Sequence, residues 1–134
     1  MDDFRDINDQ SKLILADESY QIVGAAMEVY YKLGTGFLEP VYQQALAIEL
    51  GQRSIPFEPQ RRFRIEYKGV MLDKEYLADF VCFDGLIVEI KAVNQLSPAD
   101  WSQVLNYLKV SKMRVGLLFN FGSVGKLEWK KLVI

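Results

Sequence analysis

Three charged residues lie in two of the most apolar stretches of this 134-residue chain. Asp79 precedes the apolar run 80–83, and Glu89 and Lys91 are embedded in the run 86–92. A buried charge is costly unless it is paired or bound to a metal. Two carboxylates can hold a hard metal ion, and a nearby lysine can stabilise a phosphate. The pattern indicates a metal-dependent phosphate site, and the alternative is a structural cluster of ion pairs.

The composition limits which metal and which mechanism are possible. The chain contains no histidine and one cysteine, Cys82. This excludes histidine-based nucleophilic triads, histidine general bases and the usual Cys/His zinc sites. We therefore expect a metal bound by oxygen atoms: magnesium, manganese or calcium before zinc. A single cysteine allows no disulfide within the chain, so we expect a reducing, cytoplasmic setting.

The loop between the two apolar runs decides whether the charges can meet. Its Asp-Gly dipeptide at 84–85 is typical of a β-hairpin turn. A two-residue loop would turn Asp79 away from Glu89, because successive side chains of a strand point to opposite faces. A three-residue loop over 83–85 would set the two acids opposite each other. The phosphate site therefore predicts a three-residue loop with Gly85 in its left-handed position, or an added bulge.

The remaining sequence predicts elements in the order α-α-β-β-β-α-β-β. Apolar residues at three- and four-residue steps indicate helices, with Gly34 ending the first and Ser97 capping the last. We expect a fold of the α/β class, a mixed α+β sheet with helices on its faces. A single domain over 19–134 would follow a mobile acidic N-terminus over 1–18. The predicted helices are 19–33, 38–50 and 98–111, and the predicted strands are 57–67, 70–72 continuing at 76–83, 86–92, 114–119 and 126–133.

The formal net charge of −2 is unevenly distributed along the chain. Residues 1–21 contain six acidic and two basic side chains, whereas residues 101–134 contain six basic and one acidic. A local surface for DNA or RNA is therefore possible on an acidic protein, and a solvated basic face is the alternative. No apolar run approaches the roughly 18 residues of a membrane span, so we expect no membrane partner. The candidate nucleic-acid contacts are Arg61, Arg62, Arg64, Lys109 and Lys112.

Two motifs resemble a known family. Asp79 followed by Glu-Ile-Lys at 89–91 resembles the signature of the PD-(D/E)XK nuclease superfamily, whose core of helix, three antiparallel strands, helix and strand is similar. The stretch 36–42 reads Gly-Phe-Leu-Glu-Pro-Val-Tyr and matches the motif of the GxxExxY protein family, assigned to the same superfamily. The resemblance covers residues 20–134 and departs at Ala78, where the nominal motif has proline. It implies a restriction-endonuclease-like fold.

The resemblance also implies an activity, a cofactor and roles for particular residues. It implies a nuclease that hydrolyses DNA or RNA with Mg²⁺ or Mn²⁺. Asp79 and Glu89 would hold the metal and Lys91 would assist the attacking water. Glu39 would aim a third carboxylate at the site from its helix. A pair four residues apart on the last helix resembles the glutamine-tyrosine pair of exonuclease members: Gln103 and Tyr107.

The supporting residues each have a structural interpretation as well. Glu39 can favour a helix N-terminus electrostatically, and Gly36 can serve the tight turn between two helices. Tyr42 and Tyr107 can pack in the core with their hydroxyls near a polar site, while Gln103 can be a surface residue. The chain could thus be a nuclease-fold module that binds nucleic acid or a protein partner without cleavage. A structural subunit or a homo-oligomer is a further possibility.

Overall fold

A computed structural model of the chain describes residues 13–134. Within these residues, three helices and five strands follow in the predicted order. Of the predicted acidic N-terminus, residues 1–12 lie outside the described part, and residues 16–18 belong to the first helix. The helices are α1 (Ala16–Leu33), α2 (Glu39–Gln52) and α3 (Pro98–Ser111). The strands are β1 (Phe57–Tyr67), β2 (Val70–Cys82), β3 (Leu86–Lys91), β4 (Val115–Asn120) and β5 (Glu128–Val133).

The strands form one mixed sheet in the order β1-β2-β3-β4-β5. Neighbouring strands are antiparallel except β3 and β4, which are parallel and are joined through α3. The predicted crossover helix is therefore confirmed, since parallel neighbours need a long connection. Ser97 caps α3 as predicted: its N–H donates to the Asp100 carboxylate at 2.8 Å, and Pro98 begins the helix.

The two faces of the sheet are covered by different helices. Leu86, Val88 and Ile90 of β3 belong to a continuous apolar core with α1 and α2. The opposite face packs beneath α3 in two smaller clusters, where Ile87 contacts one group and Leu118 another. Because side chains alternate along a strand, Glu89 and Lys91 share the α3 face with Ile87.

The outer half of the β1–β2 hairpin differs from the prediction. We expected a strand with one buried face, but Ile65 and Tyr67 are exposed, because neither helical layer covers this part of the sheet. A register shift between Arg64 and Glu66 bends the hairpin, and the Arg64 Nε donates to the Leu72 carbonyl at 2.8 Å. Strand β2 is continuous rather than interrupted. The exposed apolar residues of this outer half are Ile65, Tyr67, Val70, Met71, Leu72 and Leu77.

Across residues 13–134, no helix combines the length and the apolar character needed to cross a membrane.

Candidate metal centre

The hairpin loop between β2 and β3 has three residues, as the phosphate site requires. Cys82 pairs with Leu86, and the Gly85 N–H donates to the Cys82 carbonyl at 3.1 Å. The prediction of a three-residue loop is confirmed. The predicted left-handed position is wrong, however, because positive φ values occur at Phe83 (53°) and Asp84 (50°) and not at Gly85. Two consecutive residues make the turn, and Gly85 has already returned to negative φ.

This loop places Asp79 opposite Glu89. The pairing of β2 with β3 continues to Phe80 and Val88, and beyond that point side chains replace the regular ladder. Glu89 Oε2 accepts a hydrogen bond from the Asp79 N–H at 2.8 Å, and Asp79 Oδ2 accepts one from the Ile90 N–H at 2.8 Å. Each carboxylate is held by the backbone of the neighbouring strand. The two side chains are therefore fixed relative to each other.

The two carboxylates are electrostatically unfavourable together. Burial raises the pKa of Asp79 to about 6, opposed by the hydrogen bond from Ile90, and the charge of Glu39 raises it further. Burial raises the pKa of Glu89 to about 9, and the charge of Asp79 adds to the increase. Lys91 lowers both pKa values without offsetting the burial. In the absence of a cation, the pair therefore retains a proton at neutral pH.

Lys91 and Glu39 approach this pair from different elements. Lys91 is half-buried at the end of β3, separated from Glu89 by roughly 6–7 Å of strand rise. Glu39 is the half-buried first residue of α2, and its charge acts on both Asp79 and Glu89. Among residues 13–134, no three Asp, Glu, Cys or His side chains form a group that could hold a metal ion. The structure thus brings together two of the three predicted ligands and leaves Glu39 outside that pair.

The residues of the 36–42 motif build the connection from α1 to α2. Tyr42 is fully buried, and its hydroxyl donates to the Gly34 carbonyl at 2.6 Å and accepts from the Phe37 N–H at 3.3 Å. Gly36 has a φ of 107°, a value that residues with a side chain rarely adopt. These contacts hold the loop that leads into Glu39. The structure therefore supports the structural interpretation of Gly36 and Tyr42.

Helix α3 brings Tyr107 to the same area of the sheet. Burial raises its pKa to about 12, and the charges of Glu89 and Asp79 add to the increase. The Tyr107 ring contacts the edge of Tyr76, with ring centroids 5.7 Å apart. Its hydroxyl therefore stays protonated near the two carboxylates. Gln103 lies one helical turn earlier and is exposed, so its role stays a prediction.

Two of the five predicted nucleic-acid contacts, Arg61 and Arg64, bind other residues of the protein. Arg61 donates to Asp84 at 2.7 Å and also lies over the Phe63 ring. The Arg64 Nε donates to the Leu72 carbonyl, and its Nη2 lies 3.8 Å from the Asp73 Oδ1. Their charges are thus partly balanced by acidic neighbours. The other three predicted contacts are exposed: Arg62, Lys109 and Lys112.

Gln60 is a residue of this site that the sequence did not indicate. The β1–β2 pairs Pro59–Phe80 and Arg61–Ala78 place it opposite Asp79. Hydrogen bonding by its side chain makes the smallest of the contributions that lower the pKa of the Asp79 carboxyl. A regular hairpin built from the turn at 68–69 would not produce this alignment. The register shift farther along the hairpin creates it, and no sequence pattern announced that shift.

A second unexpected contributor, Asn120, secures the end of β3. Its Oδ1 accepts hydrogen bonds from the N–H groups of Val93 at 2.9 Å and Gly122 at 3.0 Å. Its amide donates to Glu128 at 3.0 Å. In the parallel ladder, Asn120 is the partner of Lys91. The sequence signal for this role is an asparagine at the end of an apolar strand, because a buried amide needs hydrogen-bond partners.

A mixed sheet with a crossover helix, carrying two carboxylates and a lysine on adjacent strands, defines a restriction-endonuclease-like α+β protein. A profile of the PD-(D/E)XK nuclease superfamily matches residues 16–132. The chain belongs to this superfamily.

The fold is also similar to that in the crystal structure of SSO0001. The TM-score is 0.54, the sequences are 14% identical, and the match covers 71% of this chain and 50% of that one. The chain thus spans about half the length of SSO0001. No relative was found among the curated proteins.

Proposed function

We propose that this protein is a nuclease that hydrolyses phosphodiester bonds of DNA or RNA with Mg²⁺ or Mn²⁺. The proposal rests on one observation: Asp79 and Glu89 share a face of the sheet, fixed by hydrogen bonds to each other's strands. Burial raises both pKa values even with Lys91 nearby, and the charge of Asp79 adds to the increase for Glu89. A divalent cation would compensate this charge. The superfamily membership supports the same function.

The proposed roles follow from the position of each side chain. Asp79 and Glu89 hold the metal, which would orient and acidify the attacking water and neutralise charge on the phosphate. Lys91 assists the attack of water, either through its charge or as a proton acceptor. Glu39 lies outside the carboxylate pair, and its charge, which acts on both acids, would add to the attraction for a cation.

The remaining assignments complete the proposal. Tyr107 keeps its proton beside the carboxylates and can donate a hydrogen bond to a phosphate oxygen, and Gln103 can orient water from the exposed side of α3. The GxxExxY motif supports membership of that narrower family. Cys82 is buried, which suits a reducing, cytoplasmic setting. Arg62, Lys109 and Lys112 are exposed positions for phosphate contacts.

A cleavage assay with matched variants tests this function. The purified protein is incubated with single- and double-stranded DNA and RNA in Mg²⁺, Mn²⁺ or EDTA. We expect metal-dependent cleavage that is lost in Asp79→Asn, Glu89→Gln and Lys91→Ala. Glu49→Gln serves as the control, because Glu49 pairs with Arg53 near the far end of α2. Absence of cleavage on every substrate, or equal cleavage by all five proteins, would contradict the proposal.

The alternative is a nuclease-fold module that binds a partner without cleaving nucleic acid. The exposed apolar side chains on the outer half of the β1–β2 hairpin favour it, since such patches often mark interaction sites. Met71→Asp would then abolish self-association, or the capture of a protein partner, without changing the folded structure. Sedimentation of wild type and variant measures self-association. Mn²⁺ binding and oligonucleotide binding without any cleavage would favour this alternative over the nuclease.

A further inference from the structure

Gln60 has an unusual backbone conformation for a residue inside a strand. Its φ is 55°, a value that costs free energy for any residue with a Cβ atom. Among residues 13–134, the other non-glycine residues with positive φ lie in turns, in loops or at helix ends. Those residues are Leu15, Ser54, Lys68, Phe83, Asp84 and Lys112. Strain inside a strand persists only where the surrounding structure enforces it.

The strained position coincides with a break in two strand pairings. Gln60 lies between the pairs Pro59–Phe80 and Arg61–Ala78, directly opposite Asp79. On the other side of Asp79, the ladder to β3 gives way to the bonds between the side chain of one strand and the backbone of the next. Both neighbours of β2 therefore depart from regular pairing at the same residue. That residue is Asp79, one of the two carboxylates of the proposed metal site.

The Gln60 side chain connects this distortion to the site. Hydrogen bonding by this side chain makes the smallest of the contributions that lower the pKa of Asp79, and the residue as a whole is exposed. Asp79 therefore lies between the Ile90 N–H of β3, which donates to it at 2.8 Å, and Gln60, the residue opposite it in β1. A donor on each side of a carboxylate restricts it to one orientation. Partners of this kind typically change the metal affinity of the carboxylate by 10- to 100-fold.

We propose that Gln60 is a positioning residue: its strained backbone directs its side-chain amide to Asp79 and fixes that carboxylate in the orientation that binds the metal ion. This inference rests on the proposed function. It predicts that strain and affinity are coupled, so a substitution that relieves the strain weakens the site. A residue with only a structural role would not change stability and metal affinity in opposite directions.

The test compares glycine at two strained positions. Gln60→Gly removes the amide and accepts the positive φ, whereas Ser54→Gly relieves a similar φ of 58° between α2 and β1. Melting temperature is measured without metal, and Mn²⁺ affinity is measured by calorimetry. We expect both variants to melt a few degrees higher than wild type. Only Gln60→Gly should bind Mn²⁺ about 10-fold more weakly.

Gln60→Ala separates the amide from the strain, because alanine retains a Cβ atom. We expect it to lose the same Mn²⁺ affinity as Gln60→Gly without the gain in melting temperature. If wild type binds Mn²⁺ and both Gln60 variants bind it equally well, the inference fails and the proposed function survives. A lower melting temperature for Gln60→Gly also overturns the inference. A wild-type protein that binds no Mn²⁺ overturns both.

Discussion

The two faces of β3 use neighbouring residues for opposite purposes. Leu86 and Val88 are fully buried against the layer of α1 and α2, within one continuous apolar core. On the other face, Glu89 and Lys91 adjoin smaller apolar clusters beneath α3. Stability is therefore concentrated on one face and the proposed chemistry on the other. If this division is real, changes three residues apart on the same strand should have separable effects.

The largest expected effect is on the α3 face. Glu89→Gln keeps the shape of the side chain and can still accept the hydrogen bond from the Asp79 N–H. We expect the metal-free variant to be at least as stable as wild type, because the substitution removes a carboxyl whose pKa is raised by burial. The metal-dependent cleavage rate should fall by about 10³-fold, equivalent to about 4 kcal/mol in the activation barrier. Urea unfolding and cleavage rates in Mn²⁺ measure the two quantities, and a large loss of stability with retained cleavage would contradict the division.

On the opposite face, Leu86→Ala should lower the stability of the protein and leave its cleavage rate nearly unchanged. Leu86 is fully buried, and removing its side chain leaves a cavity that lowers the free energy of unfolding by about 3 kcal/mol. The cleavage rate should remain within about twofold of wild type at a temperature where both proteins are folded. Urea unfolding followed by cleavage assays at low temperature provides the comparison. A rate loss as large as that of Glu89→Gln would show that the two faces are not separable.

The stability of the metal-free protein should depend on pH because of the α3 face. Folding raises the pKa of Glu89 from 4.5 to about 9 and that of Asp79 from 3.8 to about 6. The folded state therefore binds more protons than the unfolded state, and stability falls as the pH rises through this range. We expect the melting temperature without metal to decrease from pH 5 to pH 9.

Two controls accompany the pH series. Mg²⁺ should restore the melting temperature at high pH, because metal binding competes with protons for the carboxylates. Glu89→Gln should flatten most of the slope, since it removes the group with the larger shift. A melting temperature that increases steadily up to pH 9 would mean that the carboxylate pair is not destabilised in the folded protein.

The smallest effect concerns the polar contact on the otherwise apolar face. Tyr42→Phe removes the hydroxyl that binds the Gly34 carbonyl and the Phe37 N–H. We expect the free energy of unfolding to fall by about 1–2 kcal/mol, because buried backbone groups lose their partner. Val41→Ala, a change at an exposed neighbour, provides the control. Equal stability of wild type and Tyr42→Phe would show that water replaces the hydroxyl without cost.

Much of this arrangement could be predicted from the sequence because it depends on local patterns. Apolar periodicity and caps such as Ser97 specify the helices, and the alternation of side chains links the loop length to the pairing of Asp79 with Glu89. The requirement for a three-residue loop therefore follows from the sequence alone. The φ angles of the loop do not follow from the sequence, since Phe83 and Asp84 adopt positive φ although Gly85 is beside them.

The remaining features depend on contacts that are distant in the sequence. The register shift between Arg64 and Glu66 determines which residue faces Asp79, and no composition signal marks it. Exposure of Ile65 and Tyr67 likewise depends on where the helical layers end. Alternation alone predicted a buried face there, because it indicates which residues share a face and not whether another element covers that face.

The reactivity of the single cysteine of the chain can be used to measure how often the core opens. Cys82 is fully buried at the end of β2, and burial raises the pKa of its thiol to about 12. The folded protein should therefore resist alkylating reagents, because the reactive thiolate is both scarce and inaccessible. Labelling should occur only when the layer of α1 and α2 separates from the sheet. Its rate then gives the opening equilibrium of that face, without the introduction of any probe.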